Sequence, residues 1–231
     1  MPTRLVAVAF DACGPTAVAR FWAELLGREV VDEDDGVLLP GDERQVGLRF
    51  VAASTPKVGL NRLHLHLTSA SLEGQRATVE KALSIGGCHL DVGQLPEEGH
   101  VVLSDPGDNE FCVIEAGNGF LAGCGPLGEV ACDGSRAVGV FWHKVLGWPL
   151  VWNQEQETAI QSPAGGTKLA WGGPPMAPKQ GRNRQRFDLA AADLETEISR
   201  LTSLGATRIA DVDEGVEFAD PDGNEFRIVG V

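Results

Sequence analysis

The segment LHLHLT at residues 63–68 places two histidines two positions apart on an otherwise apolar run. Side chains at i and i+2 of a strand point to the same side, so His64 and His66 share one face. Imidazole exchanges a proton near neutral pH and also binds transition metals. The pair marks a candidate site, and His64 is the best catalytic candidate. The alternative is two hydrogen-bonded histidines in a pocket wall or a domain interface.

A second copy of this segment carries charges instead of imidazoles. The stretch NRLHLHLTSASLE (61–73) is answered by NRQRFDLAAADLE (183–195), with Arg186 and Asp188 in the places of the two histidines. Opposite charges on one strand face can pair with each other or with Arg227, which lies on the last predicted strand. Such a cluster either binds a carboxylate or phosphate or satisfies itself.

Other segments repeat in the same order. ARFWAELLGREVV (19–31) matches GVFWHKVLGWPLV (139–151), and SDPGDNEF (104–111) matches ADPDGNEF (219–226). Ordered matches of this kind indicate a duplication. They predict one domain over residues 1–117, a second over 126–231, and a glycine-rich linker at 118–125.

The elements that must position these side chains follow from local patterns. Helices are predicted over 15–26, from Ser71 to about Ile85, and after Asp193, with Gly27 and Gly205 as C-terminal stops. Apolar and alternating runs around them predict strands in the order βαβββ, four times. Three strands cannot close a core alone, so the modules must pair. The predicted class is α+β, with two modules per domain forming a cupped mixed sheet and one concave face per half.

The chain resembles the vicinal oxygen chelate superfamily, which contains glyoxalases, bleomycin resistance proteins and extradiol dioxygenases. The resemblance covers nearly the whole chain and implies two tandem glyoxalase-like domains, although this fold hosts many functions. The residues that carry the resemblance are Phe21-Trp22, Leu26-Gly27, Asn61-Arg62-Leu63-His64, Asp105-Pro106, Asn109-Glu110-Phe111, Phe141-Trp142, Leu146-Gly147, and Asp220 through Phe226.

The resemblance also locates the metal ligands of metal-dependent relatives. Those proteins use a donor on the first strand of a module and a glutamate three residues after the asparagine of the Asp-Pro turn. Here the glutamate positions hold Cys112 and Arg227, while His64 matches the histidine position and Arg186 replaces it in the second half. Arginine repels a cation, so we expect no metal and no other cofactor. The alternative is a divalent metal in the first domain, with His64, His66 and a Cys112 thiolate as a zinc set.

Two further residues have competing interpretations. Cys112 is either a nucleophile, for which the sequence shows no base, or a small packed hydrophobe. Trp171, on the strand KLAW, is expected to point into the second cleft and stack on a flat ligand, with core packing as the alternative.

Composition narrows the function classes. The formal charge of −14 leaves phosphates without counter-charges, so a nucleic-acid partner is excluded and a membrane partner is not expected. The five cysteines follow no metal or redox spacing, and the apolar N-terminal run is too short to span a membrane. We therefore expect a cytoplasmic protein with reduced thiols, either a monomer or a homodimer.

Together these points predict a metal-independent small-molecule-binding protein of the glyoxalase/bleomycin-resistance type. The predicted ligand-binding residues are His64, His66, Cys112, Trp171, Arg186, Asp188 and Arg227. The alternative function is a lyase, isomerase or dioxygenase with a non-standard or metal-free site in the first domain, using His64 as the base.

Overall fold

The computed structural model describes residues 3–54, 57–95 and 97–231, which fold into four βαβββ modules. Module 1 comprises β1 (Arg4–Ala12), α1 (Pro15–Leu26), β2 (Val31–Glu33), β3 (Gly36–Leu39) and β4 (Gly47–Ala52). Module 2 comprises β5 (Leu63–Leu67), α2 (Leu72–Ser84), β6 (Cys88–His89), β7 (Val101–Ser104) and β8 (Glu110–Val113).

The second half repeats this order. Module 3 comprises β9 (Leu127–Cys132), α3 (Arg136–Leu146), β10 (Leu150–Gln154), β11 (Glu157–Gln161) and β12 (Lys168–Trp171). Module 4 comprises β13 (Gln185–Ala191), α4 (Leu194–Leu204), β14 (Thr207–Val212), β15 (Gly215–Ala219) and β16 (Glu225–Gly230). The predicted α+β class with repeated βαβββ modules is confirmed.

The modules pair across the two halves of the chain. Sheet A has the strand order β14-β15-β16-β13-β1-β4-β3-β2 and combines modules 1 and 4. Sheet B has the order β10-β11-β12-β9-β5-β8-β7-β6 and combines modules 2 and 3. The central pairs, β1 with β13 and β5 with β9, are antiparallel. Each eight-stranded sheet therefore takes one module from each half, and the expectation of one sheet face per half is wrong. The predicted division into domains 1–117 and 126–231, with a linker at 118–125, stays a prediction.

Within one half, the two modules meet through aromatic packing. Trp22 of α1 lies against Phe111 of β8, with ring centroids 4.9 Å apart, and its Nε1 donates a hydrogen bond to Asp105 at 2.8 Å. The second half repeats the contact, since Trp142 of α3 donates to Asp220 at 3.3 Å. In each half, the tryptophan of the Phe-Trp motif thus contacts the aspartate of the Asp-Pro motif.

The helix ends follow the predicted signals. Gly27, which closes α1, has φ +66°, a conformation that suits glycine. The Ser71 hydroxyl accepts from the Gly74 amide at 3.0 Å at the start of α2, and Asp193 accepts from the Thr196 amide at 3.0 Å at the start of α4. In the part of the chain that the structure describes, none of the helices has the length and apolar character to cross a membrane.

Candidate functional site

A cavity of about 720 Å³ opens beside sheet B. Strand alternation on β5 explains its location, because Leu63, Leu65 and Leu67 are buried in the main core while His64 and His66 point to the opposite face. The volume is in the range of pockets that hold organic small molecules. The structure thus places both histidines on the wall of a space large enough for a ligand.

His66 lies at the centre of a polar cluster that spans three strands. It is in register with Cys112 of β8 on one side and with Glu129 of β9 on the other. Its Nδ1 is 2.7 Å from Oε2 of Glu129. The donor atoms of His64, His66 and Cys112 lie within 4.8 Å of one another. We call His64, His66, Cys112 and Glu129 the imidazole–thiol cluster.

The two imidazoles of this cluster have opposite charge states at neutral pH. Burial, together with the nearby His66 and His100, lowers the pKa of His64 to about 3, so His64 is neutral. Burial also lowers the pKa of His66, but hydrogen bonds to Cys112 and Glu129 outweigh burial and raise the pKa to about 9. His66 is therefore a charged donor, and His64 beside it offers a free lone pair.

The cluster does not fit the hard divalent ion that the superfamily's metal-dependent members use. The position of the usual carboxylate holds the soft thiol of Cys112, and the Glu129 carboxylate is engaged by Nδ1 of His66. A metal would also have to displace the proton that His66 holds at neutral pH. We derive no step of the function through a metal.

The rest of the cavity is largely apolar. Cys112 packs with Val102 and Ile114 in a small apolar cluster separate from the main core, and all three line the cavity. Towards the mouth, Val58 and Leu60 are 62% and 64% exposed. Exposed apolar side chains gathered at the edge of a cavity are typical of a binding site.

The second half of the chain supplies one wall of this cavity. This wall consists of Ala177, Pro178 and residues 180–184, which lie in the segment between β12 and β13. Nη1 of Arg62 donates to the Ala177 carbonyl at 3.0 Å, and Nη2 of Arg184 donates to the Asp11 and Gly107 carbonyls at 3.1 and 3.0 Å. These contacts hold the wall against the first half, so the site belongs to both halves.

The equivalent face of sheet A carries ion pairs. Arg186 contacts Asp11 at 2.7 Å and Asp188 at 3.3 Å, and Asp188 contacts Arg49 at 2.6 Å. Arg186 and Asp188 are only 5% and 3% exposed. These ion pairs favour a network that pairs its own charges over an anion site, and within the described residues Nε of Arg186 and Oδ1 of Asp188 meet as an ion pair without a hydrogen bond.

Arg227 does not join the ion pairs of Asp188 among the described residues, and its Nε is buried without a hydrogen-bond partner there. Its charge instead helps Arg182 and Arg186 to lower the pKa of Glu217, for which the hydrogen bond from Arg182 is the largest cause. Neither Arg227 nor Asp188 lines the large cavity.

The expectation for Trp171 is wrong. Trp171 is buried in the main core, and its ring would lie 3.1 Å from a Cβ placed on Gly139 of α3. Strand alternation puts Trp171 with Leu169 on the helix side of β12. With Arg186 it borders a cavity of only about 30 Å³, far too small for an aromatic ligand.

Glu129 is the functional residue that the sequence analysis missed. The strand at 127–133 contains no histidine, but Glu129 lies there as a single carboxylate in the apolar run LGEVAC. It is 8% exposed, and buried carboxylates need a partner. That isolated charge was the available signal, but its partner, His66, is set by the pairing of β5 with β9.

Comparisons with known proteins agree with this architecture. The family described as "Glyoxalase-like domain" matches residues 7–114 and 129–229. Glyoxalase I from Zea mays is similar in structure, with a TM-score of 0.68 and 13% identity over 99% of this chain and 92% of that one. A putative dioxygenase from Bacillus subtilis subsp. subtilis str. 168 has a TM-score of 0.60 and 15% identity over 98% of this chain and 84% of that one. At these identities the likeness shows the fold alone. A search of curated proteins gives no match.

Two matched stretches, two cross-paired sheets and four βαβββ modules lead to one conclusion: the chain belongs to the glyoxalase-like domain family of the vicinal oxygen chelate superfamily, with the domain present twice.

Proposed function

We propose that this protein binds an organic small molecule, without a metal, in the cavity beside sheet B. The observation that carries the proposal is the cavity itself: about 720 Å³, apolar at the floor and mouth, with the imidazole–thiol cluster on its wall. The cavity surface is mostly apolar, and the polar side chains on its wall, among them His64, His66 and Arg62, could orient a ligand.

The charge states suggest how a ligand would lie. The apolar part would cover Val102 and Ile114, where burial of each 100 Å² of apolar surface contributes about 2.5 kcal/mol before the costs of association. A carbonyl or carboxylate oxygen would be attracted by the positive charge of His66, and a donor group would face the neutral His64.

The alternative function, an enzyme with His64 as general base, has less support. An efficient base has a pKa near the working pH, whereas burial lowers the pKa of His64 to about 3. We assign His64 to ligand contact. For the ion-paired face of sheet A, we propose a structural role that stabilises the pairing of modules 1 and 4.

A matched pair of cavity variants tests the binding proposal. Ile114 follows β8 at the cavity floor, and Val229 holds the corresponding position on β16 of sheet A. A thermal-shift screen of small organic compounds would identify ligands, and calorimetry would measure their affinity. Ile114→Phe should weaken binding at least tenfold by filling the floor, whereas Val229→Phe should leave it unchanged. Equal effects of the two variants would contradict the assignment to sheet B.

Metal analysis tests the second part of the proposal. Purified protein should bind its ligand equally well before and after treatment with a chelator, and zinc, nickel, manganese or ferrous iron should cause no thermal shift. A stoichiometric metal that is required for ligand binding would contradict metal independence.

A further inference from the structure

Cys112, His66 and Glu129 form a line across three neighbouring strands, β8, β5 and β9. Nδ1 of His66 is engaged by Glu129 at 2.7 Å, which leaves the second ring nitrogen for the side of Cys112. The thiol sulfur lies within 4.8 Å of an imidazole nitrogen. A thiol, a neighbouring imidazole and a carboxylate that orients the imidazole are the parts of an activated thiol.

We propose that Cys112 is a nucleophile, activated by His66 and Glu129, that adds to an electron-poor alkene conjugated to a carbonyl in the ligand of this cavity. The inference rests on the proposed binding function and names the chemical class of its ligand.

The position of Cys112 distinguishes it from the other thiols. Cys13 and Cys88 lie on the surface, and burial raises the pKa of both Cys124 and Cys132. Cys112 is 7% exposed, and that exposure faces the 720 Å³ cavity. A ligand held there would have its carbon skeleton against Val102 and Ile114, on either side of the sulfur.

The groups around His66 favour a proton on its ring. Glu129 and Cys112 face it from β9 and β8, while the neighbouring His64 is neutral and adds no positive charge. Lys168 of β12 is in register with Glu129, but its Nζ donates to the Phe120 carbonyl. The Glu129 carboxylate therefore stays available to the imidazole.

The addition needs only the groups that are present. The proton of the Cys112 thiol is first transferred to His66, which leaves a thiolate beside an imidazolium. The thiolate sulfur then forms a bond to the β-carbon, the C=C π bond breaks, and its electron pair moves through the α-carbon to the carbonyl oxygen. The imidazolium of His66 then donates its proton to the α-carbon, and the carbonyl re-forms. No leaving group, oxidant or cofactor takes part.

Alkylation by N-ethylmaleimide, itself an electron-poor alkene, tests the inference. Peptide mass spectrometry would follow each cysteine of the whole protein between pH 6 and 8.5. Cys88, which lies on the surface, is the reference thiol within the same protein. Cys112 should react at least tenfold faster than Cys88 at pH 6 and change less than threefold across the range. A Cys112 rate at or below that of Cys88 at pH 6 would overturn the inference.

Variants and a larger probe separate activation from simple access. Glu129→Gln should bring the pH dependence of Cys112 close to that of Cys88, while Glu157→Gln on β11 should not. Since Glu129 is buried, circular dichroism must show that the variant is folded; the pH profile of the unaltered protein decides the matter if it is not. A folded Glu129→Gln variant with an unchanged profile would contradict activation.

A saturated analogue distinguishes this inference from the binding proposal. N-phenylmaleimide should react with Cys112 with saturation kinetics, and N-phenylsuccinimide, which lacks the alkene, should compete with it. Competition without an adduct would contradict the inference that Cys112 is a nucleophile, but it would still support the proposed binding function. An adduct that forms without saturation or competition would instead count against the cavity as the binding site. Stoichiometric zinc that protects Cys112 from alkylation would overturn the nucleophile.

Discussion

The charge of His66 gives a stability that depends on pH in a calculable way. The pKa of His66 is raised to about 9, because hydrogen bonds to Cys112 and Glu129 outweigh the lowering effect of burial. In the unfolded chain the value is about 6.5. The folded state therefore holds the proton more tightly, so the added stability is fully present below pH 6.5 and is lost as the pH rises through 9. Linkage gives a loss of about 2–3 kcal/mol between pH 6.5 and 9.

His64 contributes the opposite dependence. Its pKa is lowered to about 3 by burial and by His66 and His100. Between pH 6.5 and 3, His64 is therefore protonated in the unfolded chain and neutral in the folded state. Its contribution is present above pH 6.5 and is lost as the pH falls towards 3. Between pH 6.5 and 5 the loss is about 1–2 kcal/mol. The cluster by itself therefore favours a stability maximum near pH 6.5.

Urea unfolding at pH 6.5 and 9, followed by the fluorescence of the buried Trp22 and Trp142, measures this dependence. With a denaturant slope of about 3 kcal/mol per molar, the midpoint should fall by about 1 M. His66→Asn should remove most of that fall, while His89→Asn, at an exposed position, should retain it. The reasoning is refuted if the native protein and His66→Asn lose the same stability between the two pH values.

Three further predictions concern the fold. Asp105→Ala should cost about 3 kcal/mol in urea unfolding, because it leaves the buried Trp22 Nε1 and the amides of the turn without an acceptor; a loss below about 1 kcal/mol would contradict that account. Gly139→Ala should lower the free energy of unfolding by about 1–3 kcal/mol, since its Cβ would meet Oγ1 of Thr158 at 1.8 Å, and an unchanged value would mean that the helix shifts freely. A fragment of residues 1–117 should not be a folded monomer, because β1 and β5 lose their antiparallel partners in the second half; light scattering and circular dichroism would detect a folded monomer if the prediction is wrong.

The imidazole–thiol cluster shows how far sequence reasoning reached. Alternation of Leu and His on 63–68 predicts that His64 and His66 share a face, because the two-residue period of a strand is a local property. It could not supply Glu129, which comes from the other half and meets His66 only through the register of β5 with β9. Trp171 failed for a related reason, since the KLAW strand has apolar residues on both faces and only the docking of α3 selects one.

The sequence by itself determined the modules: four βαβββ units, their helix boundaries, and the repeated Phe-Trp and Asp-Pro motifs. Each depends on residues a few positions apart, or on patterns that occur twice. The tertiary structure decided which modules share a sheet, and therefore which side chains share a site. That choice depends on hydrogen bonding between the edges of strands, which carries little sequence signal because every backbone offers the same donors and acceptors. The cavity wall consequently combines His66 and Cys112 from the first half with Ala177, Pro178 and residues 180–184 from the second, while Glu129 of the second half binds His66.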